Sequence, residues 1–252
     1  DRRHGEAMAL LDQVDVDYVS VKVSASVSQL NYWDWDGSLD RVTERLRPLF
    51  AKAAATSPPT FINLDMEEYH DLELTMTVFM AMLDEPAFHH LDAGIVLQGY
   101  LPDSFEALQQ LSSWAAARRA KTVDGRPGGM VKVRLVKGAN LAMERVEAAL
   151  HDWEQAPYRT KAETDANYKR CIEWVLDPER LAGLRIGDLD IHVREQILLQ
   201  PQRRDREAFQ VFRTGIAGDE IEDAAGITPE GRIGGEQRQV GINPRRDRMV
   251  IA

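Results

Sequence analysis

The chain has one cysteine among its 252 residues, Cys171. That excludes an internal disulfide, leaves too few thiolates for a cysteine metal site, and fits a reducing compartment, with the cytoplasm as the default. Long apolar runs are missing as well: no uncharged stretch approaches the length that spans a bilayer. The opening DRRHGEAMALL lacks the plan of a signal peptide, and because it starts without Met the chain is expected to be part of something longer. Basic residues are outnumbered, 31 Lys and Arg against 41 Asp and Glu, for a formal charge of −10. No basic stripe with interleaved aromatics offsets that background, so nucleic acid is excluded as a partner and a small-molecule ligand is expected. A Gly-Lys-Ser/Thr phosphate loop is also absent. The glycine-rich DGRPGG at 124–129 precedes a strand instead of opening a helix, and reads as a turn. The remaining composition, 44% hydrophobic and 29% charged, is that of an ordinary globular chain able to bury a substantial core.

What is present is organised around residues 131–150, VKVRLVKGANLAMERVEAAL. Val131, Val133 and Leu135 alternate with Lys132 and Arg134, which is a strand; a turn at Gly138 and Ala139 leads into a helical pattern. The spacing of Met143, Val146, Leu150 and Trp153 predicts one buried apolar face, with Glu144, Arg145 and Glu147 in water. Similar strand-then-helix units precede it. YVSVKVS at 18–24 is a strand, and Ser38 is expected to cap a helix buried through Leu39, Val42, Leu46, Leu49 and Ala53. Thr60 to Leu64 is a strand ending in Asp65, Glu67 and Glu68, then a helix follows with Leu72, Met76, Phe79 and Leu83 inside. IVLQGY at 95–100 is a strand followed by a helix with Asp103 and Glu106 in a capping-box pattern. Thr160 and Glu163 form a second such pattern before Tyr168, Cys171, Ile172 and Val175; Asp177-Pro178 starts a short helix, and Leu184 to Gly187 is a short strand.

Alternating strands and helices argue a parallel sheet with crossover helices. A barrel is favoured over an open sheet because four successive strands end in polar residues able to converge: Lys22, Asp65, Gln98 and Arg134. Each has a plain alternative. Lys22 also reads as a solvated strand end, Arg134 as an edge charge, and Lys137 as a turn residue in water. Glu67 and Glu68 read best as charges complementing a helix N-terminus, which leaves Asp65 as the better site candidate. The adjacent His89 and His90 diverge, so no metal site is expected. Beyond Gly187 the apolar periodicity fades, dividing the chain into a β/α portion at residues 1–187 and a divergent, poorly patterned segment at 188–252.

Taken together, VSVKVSAS, INLDMEEY, IVLQGYLPDS, VRLVKGANLAMERVEAAL and YRTKAETDANYKRCIEWVL resemble, in order and spacing, the flavin-dependent proline dehydrogenase family, above all the catalytic barrel of bacterial bifunctional proline utilisation A proteins. The resemblance covers residues 15–187. It implies a distorted (β/α)8 barrel, here apparently incomplete at its C-terminal end, that holds FAD at its strand ends and oxidises L-proline to Δ1-pyrroline-5-carboxylate on the way to glutamate. It further implies a membrane quinone as electron acceptor, hence a cytoplasmic protein peripheral to the inner face of the membrane. A fused or separate pyrroline-5-carboxylate dehydrogenase would take the product. Motif by motif, Lys22 would hold the proline carboxylate, Asp65 would be the acid that orders the polar network, and Met66 would touch the flavin. Gln98 would hydrogen-bond the isoalloxazine, Arg134 would sit near its reactive nitrogen, and Lys137, Gly138 and Ala139 would line the cofactor, the last two being small enough for the backbone to approach it.

The chain departs from the family pattern twice. Asn140 and Leu141 stand where aromatic residues commonly follow VKGA, and no helix with the family's Tyr-x-x-Arg-Arg carboxylate clamp is visible, since Arg203-Arg204 and Arg245-Arg246 lie in other contexts. The family's next histidine does not align with His192. An unclosed barrel would leave two exposed sheet edges. These departures keep open a truncated or degenerate member that serves as an interaction or structural segment. A Schiff-base aldolase using Lys22 or Lys137 is disfavoured by the polar neighbours of both.

Overall fold

Strand-forming residues alternate between two environments, and the sheet follows from that alternation. The computed structural model describes residues 2–13, 15–27, 30, 33–177, 184–187 and 250–251. After helix α1 (Arg2–Leu10) come strand β1 (Tyr18–Lys22), a one-turn helix α2 (Val23–Ser26) and α3 (Trp35–Ala55). The units β2 (Phe61–Asp65) with α4 (Leu72–Asp84) and β3 (Ala93–Gln98) with α5 (Ser104–Ala120) follow. A small hairpin, β4 (Thr122–Val123) and β5 (Arg126–Pro127), turns at Asp124 and Gly125, both with positive φ, as a tight Asp-Gly hairpin turn requires. The turn expected in DGRPGG falls at its first two residues, and Arg126–Pro127 form the returning strand. Then come β6 (Val131–Val136), α6 (Leu141–His151), α7 (Lys161–Val175), β7 (Leu184–Gly187) and β8 (Val250–Ile251).

The sheet order is β7-β6-β3-β2-β1-β8, and every pairing is parallel. Successive strands are therefore neighbours, and the last strand returns to the outer side of the first, the cyclic order of a barrel. Val250 and Ile251 pair with Val19 and Ser20, so among the described residues the edges of the sheet are β7 and β8, not β1. In-register parallel neighbours share a face. On one face Val19, Val21, Ile62, Leu64, Ile95, Leu97, Val131, Val133 and Leu135 are buried and belong to the hydrophobic core with residues of α3, α4, α5 and α7. Each such side chain contributes about 1.5 to 3 kcal/mol by leaving water. The other face carries Ser20, Lys22, Asn63, Asp65, Gln98, Lys132 and Arg134, and it is the face that matters for function.

Local details differ from expectation where side chains found other partners. Asp34, not Ser38, caps α3, its carboxylate accepting the Gly37 N–H; Ser38 lies inside the helix. The pattern at Asp103 forms no cap bond, because its carboxylate accepts the Tyr69 hydroxyl instead. The Thr160–Glu163 capping box forms in full. The larger correction is α6. Met143, Val146, Leu150 and Trp153 are exposed, Leu150 to 72%, whereas Glu144 and Ala148 are the buried residues. Glu144 is turned inward because its carboxylate accepts the Tyr69 N–H at 2.7 Å. The short helix expected at Asp177-Pro178, and His192, Arg203-Arg204 and Arg245-Arg246, lie outside the described residues.

Candidate active site at the strand ends

Strand β1 ends at Lys22 and β2 at Asp65, and the two are register partners. Beneath them Asn63 donates to Ser20 Oγ and to Asp65 Oδ1, both at 2.9 Å, so the buried amide ties β1 to β2 and orients the Asp65 carboxylate. From β6, the Arg134 guanidinium lies 3.8 Å from that same Oδ1. Asp65 and Arg134 are thus brought together across the intervening strand β3. There Val96 is the register partner of Arg134, and two residues earlier Gly94, partner of Asn63, leaves room for Asn63 Oδ1, 2.6 Å from where a Cβ would stand.

Gln98, at the end of β3, is fully buried and spans the mouth. Its amide donates to the Glu67 carbonyl at 3.0 Å and accepts from the Ala139 N–H at 3.3 Å. Its side chain also meets the Tyr100 hydroxyl, and the buried amide ties the end of β3 to both neighbouring loops. Gly138 has φ +133°, and an added Cβ would stand 2.4 Å from the Tyr100 ring. The glycine is thus required by Tyr100 packing beneath the loop. Lys137 points toward α7, its ammonium 2.9 Å from Asp165 and above the Tyr168 ring. Hydrogen bonds from Lys161 and then Lys137 hold the Asp165 carboxyl below its ordinary range. Met66 is buried within the core cluster.

Several residues at the mouth carry a role that sequence reasoning did not give them. The Glu67 carboxylate turns to the end of β1 and takes the Lys22 ammonium at 2.5 Å and the Ser24 hydroxyl. Glu68 stands at the N-cap of a 3-10 turn, Tyr69–Asp71, that runs into α4, with its carboxylate 3.0 Å from His70 Nε2. Asn140 donates to the Glu67 carbonyl at 2.7 Å, so the residue that departs from the aromatic pattern fastens the β6–α6 loop to the end of β2. Behind the loop, burial and then the neighbouring Glu144 raise the Tyr100 hydroxyl far above the ordinary phenol range, and burial also raises Glu144 itself. From α7, Asn167 donates to the Gly99 and Leu101 carbonyls and Tyr168 to the Leu135 carbonyl, bracing the ends of β3 and β6. For Glu67, Glu68, Asn167 and Tyr168 the legible signal was their clustering inside LDMEE and KAETDANY.

A parallel β/α sheet in barrel order, with ammonium, guanidinium, carboxylate and amide groups gathered at the carboxyl ends of its strands, is a ligand-binding barrel of the enzyme type. A family model described as proline dehydrogenase matches residues 2–206. Among solved structures, proline utilisation A (PutA) from Corynebacterium freiburgense is 46% identical with a TM-score of 0.75, covering 84% of this chain and 21% of its own. PutA from Bdellovibrio bacteriovorus, inactivated by N-propargylglycine, is 33% identical with a TM-score of 0.63 over 73% of this chain and 20% of its own. A PutA mutant from Bradyrhizobium japonicum, 23% identical with a TM-score of 0.61, shares the fold over 73% of this chain and 19% of its own. No curated protein matches. The chain belongs to the proline dehydrogenase family, and it spans about a fifth of the length of the solved proteins it matches.

Proposed function

We propose that this chain carries flavin-dependent oxidation of L-proline to Δ1-pyrroline-5-carboxylate, at the mouth formed by Lys22, Asp65, Gln98 and Arg134. The observation that carries the reading is the convergence of Asp65 and Arg134, 3.8 Å apart from two non-adjacent strands, near the buried Gln98 amide at the end of β3. FAD fits this donor set. Arg134 offers permanent positive charge, Gln98 a buried amide, and the 137–139 loop its backbone. When bound, FAD supplies the acceptor, at its N5, for the hydride leaving the proline carbon next to nitrogen.

The chain's own residues then have separable tasks. Lys22 meets the substrate carboxylate with a mobile point charge. Asp65, held by Asn63 and drawn toward Arg134, orders the polar side of the ring and leaves the amine oriented for donation. Arg134 balances negative charge arriving on the acceptor, a task suited to guanidinium because it does not deprotonate in the working range. Electrons then pass to a further acceptor, for which a membrane quinone is the proposal. The product passes to a pyrroline-5-carboxylate dehydrogenase, whether fused or separate. No helix among the described residues is long and apolar enough to cross a membrane. Arg134→Ala is expected to bind FAD more weakly and lose at least about 100-fold in turnover, as removal of a charge-stabilising group does. Unchanged turnover and flavin potential in that variant would remove Arg134 from the site.

A further inference from the structure

Glu67 has no task in the chemistry above, yet it is joined to three strand ends. Its backbone carbonyl accepts from Gln98 of β3 and from Asn140 after β6. Its side chain crosses the other way, to the end of β1. There both carboxylate oxygens are engaged, one by the Lys22 ammonium at 2.5 Å and the other by the Ser24 hydroxyl. Main chain and side chain are thus anchored independently, so the carboxylate can leave without disturbing the loop.

We propose that Glu67 is an internal stand-in for the substrate carboxylate, holding Lys22 and Ser24 in place until an anionic ligand displaces it. The proposal rests on the reading that Lys22 binds the proline carboxylate. An ammonium and a hydroxyl bracketing a carboxylate form the donor set such a ligand needs, and in this structure Glu67 already fills it. Displacement is feasible because the pair is open to water: the Lys22 and Glu67 side chains are 31% and 27% exposed, and partly exposed ion pairs add little net stability. Ligand binding then exchanges one carboxylate for another, and the released Glu67 repels the newcomer. Selectivity follows. Glu67 lowers the affinity for carboxylates at this position and leaves neutral ring compounds unaffected. It also keeps the Lys22 charge compensated whenever no substrate is bound.

The test is anaerobic titration of the FAD-loaded chain with L-proline and, in parallel, with L-prolinamide, which has the same ring without the carboxylate charge. Reading out flavin absorbance, Glu67→Gln is expected to lower the L-proline concentration for half-maximal response roughly two- to fivefold, the range of an exposed ion pair. The L-prolinamide value should not change. A Glu67→Gln chain that needs as much or more L-proline overturns the proposal, because the carboxylate would then be positioning Lys22 instead of competing for it. An equal gain for both compounds also overturns it, since charge would not be the cause. Lys22→Met separates the underlying reading: if it leaves the L-proline response intact, Lys22 is not the carboxylate handle and the proposal falls with that assignment. If Lys22→Met weakens L-proline alone while Glu67→Gln changes nothing, only the stand-in role is lost.

Discussion

Arg118 and Glu144 are both buried ionisable side chains, and the fold treats them in opposite ways. Arg118, at the other end of the sheet, donates to the carbonyls of Leu83, Phe88, His89, Leu91 and Gly129. Burial lowers it to about 10, so it stays charged at neutral pH with every bond compensated by backbone. Glu144 receives much less: burial raises its carboxyl, and the Tyr69 N–H offsets only part of that. The folded state therefore holds the Glu144 proton to higher pH than the unfolded chain does, and stability is lost as pH rises from about 4.5 through the raised value. Glu144→Gln keeps an oxygen for the Tyr69 N–H and removes that loss. Thermal melts across pH 4 to 8 should show no gain in acid and a growing gain toward neutrality; a gain confined to acid would contradict the burial argument.

Helices α6 and α7 follow the same strand but are held by different means. The capping box of α7 satisfies backbone at its N-terminus, so Thr160→Ala should cost about 1 kcal/mol in a denaturant melt. In α6 the exposed side chains contribute little to the fold. Leu150→Glu should change stability by less than about 0.5 kcal/mol, and a loss of 2 kcal/mol or more would mean that face is covered. The two outcomes show what a sequence makes legible. A capping box is a local exchange of bonds between residues three apart, so Thr160 and Glu163 were readable as letters. The strands were readable for the same reason, because alternation is local and decides which face is buried. The inward face of α6 was not. Apolar spacing pointed to Met143, Val146 and Leu150, but the helix is turned by Glu144, whose carboxylate accepts a hydrogen bond from the N–H of a residue 75 positions away. Lys22 and Glu67, 45 apart, were missed as a pair for the same cause: no period within either segment encodes a side chain that crosses between strand ends. Asp65, Gln98 and Arg134 were reachable because their motifs fixed them to strand ends, and the strand order then did the gathering.

At the scale of the molecule the polar face of the sheet organises everything else. The helices of the β/α units bury its apolar face, and the strand order brings first and last strands side by side. Truncating the chain before Val250 removes the outer neighbour of β1 and bares its unpaired backbone groups. A lower melting temperature with faster precipitation on heating is expected, and an unchanged melt would mean the contact adds nothing. The division at residue 187 is a further proposal, that the site-bearing strand ends from β1 to β6 belong to the first part and ring closure to the second.

The central claim is that the gathered strand ends form a flavin site that oxidises proline, and one spectrum tests it most directly. The chain is loaded with FAD, freed of unbound cofactor, and mixed anaerobically with L-proline. Retained flavin absorbance that bleaches on mixing is the expected result. Flavin that stays oxidised, or is not retained, would contradict the claim and identify this chain as a family member that does not carry out the reaction on its own.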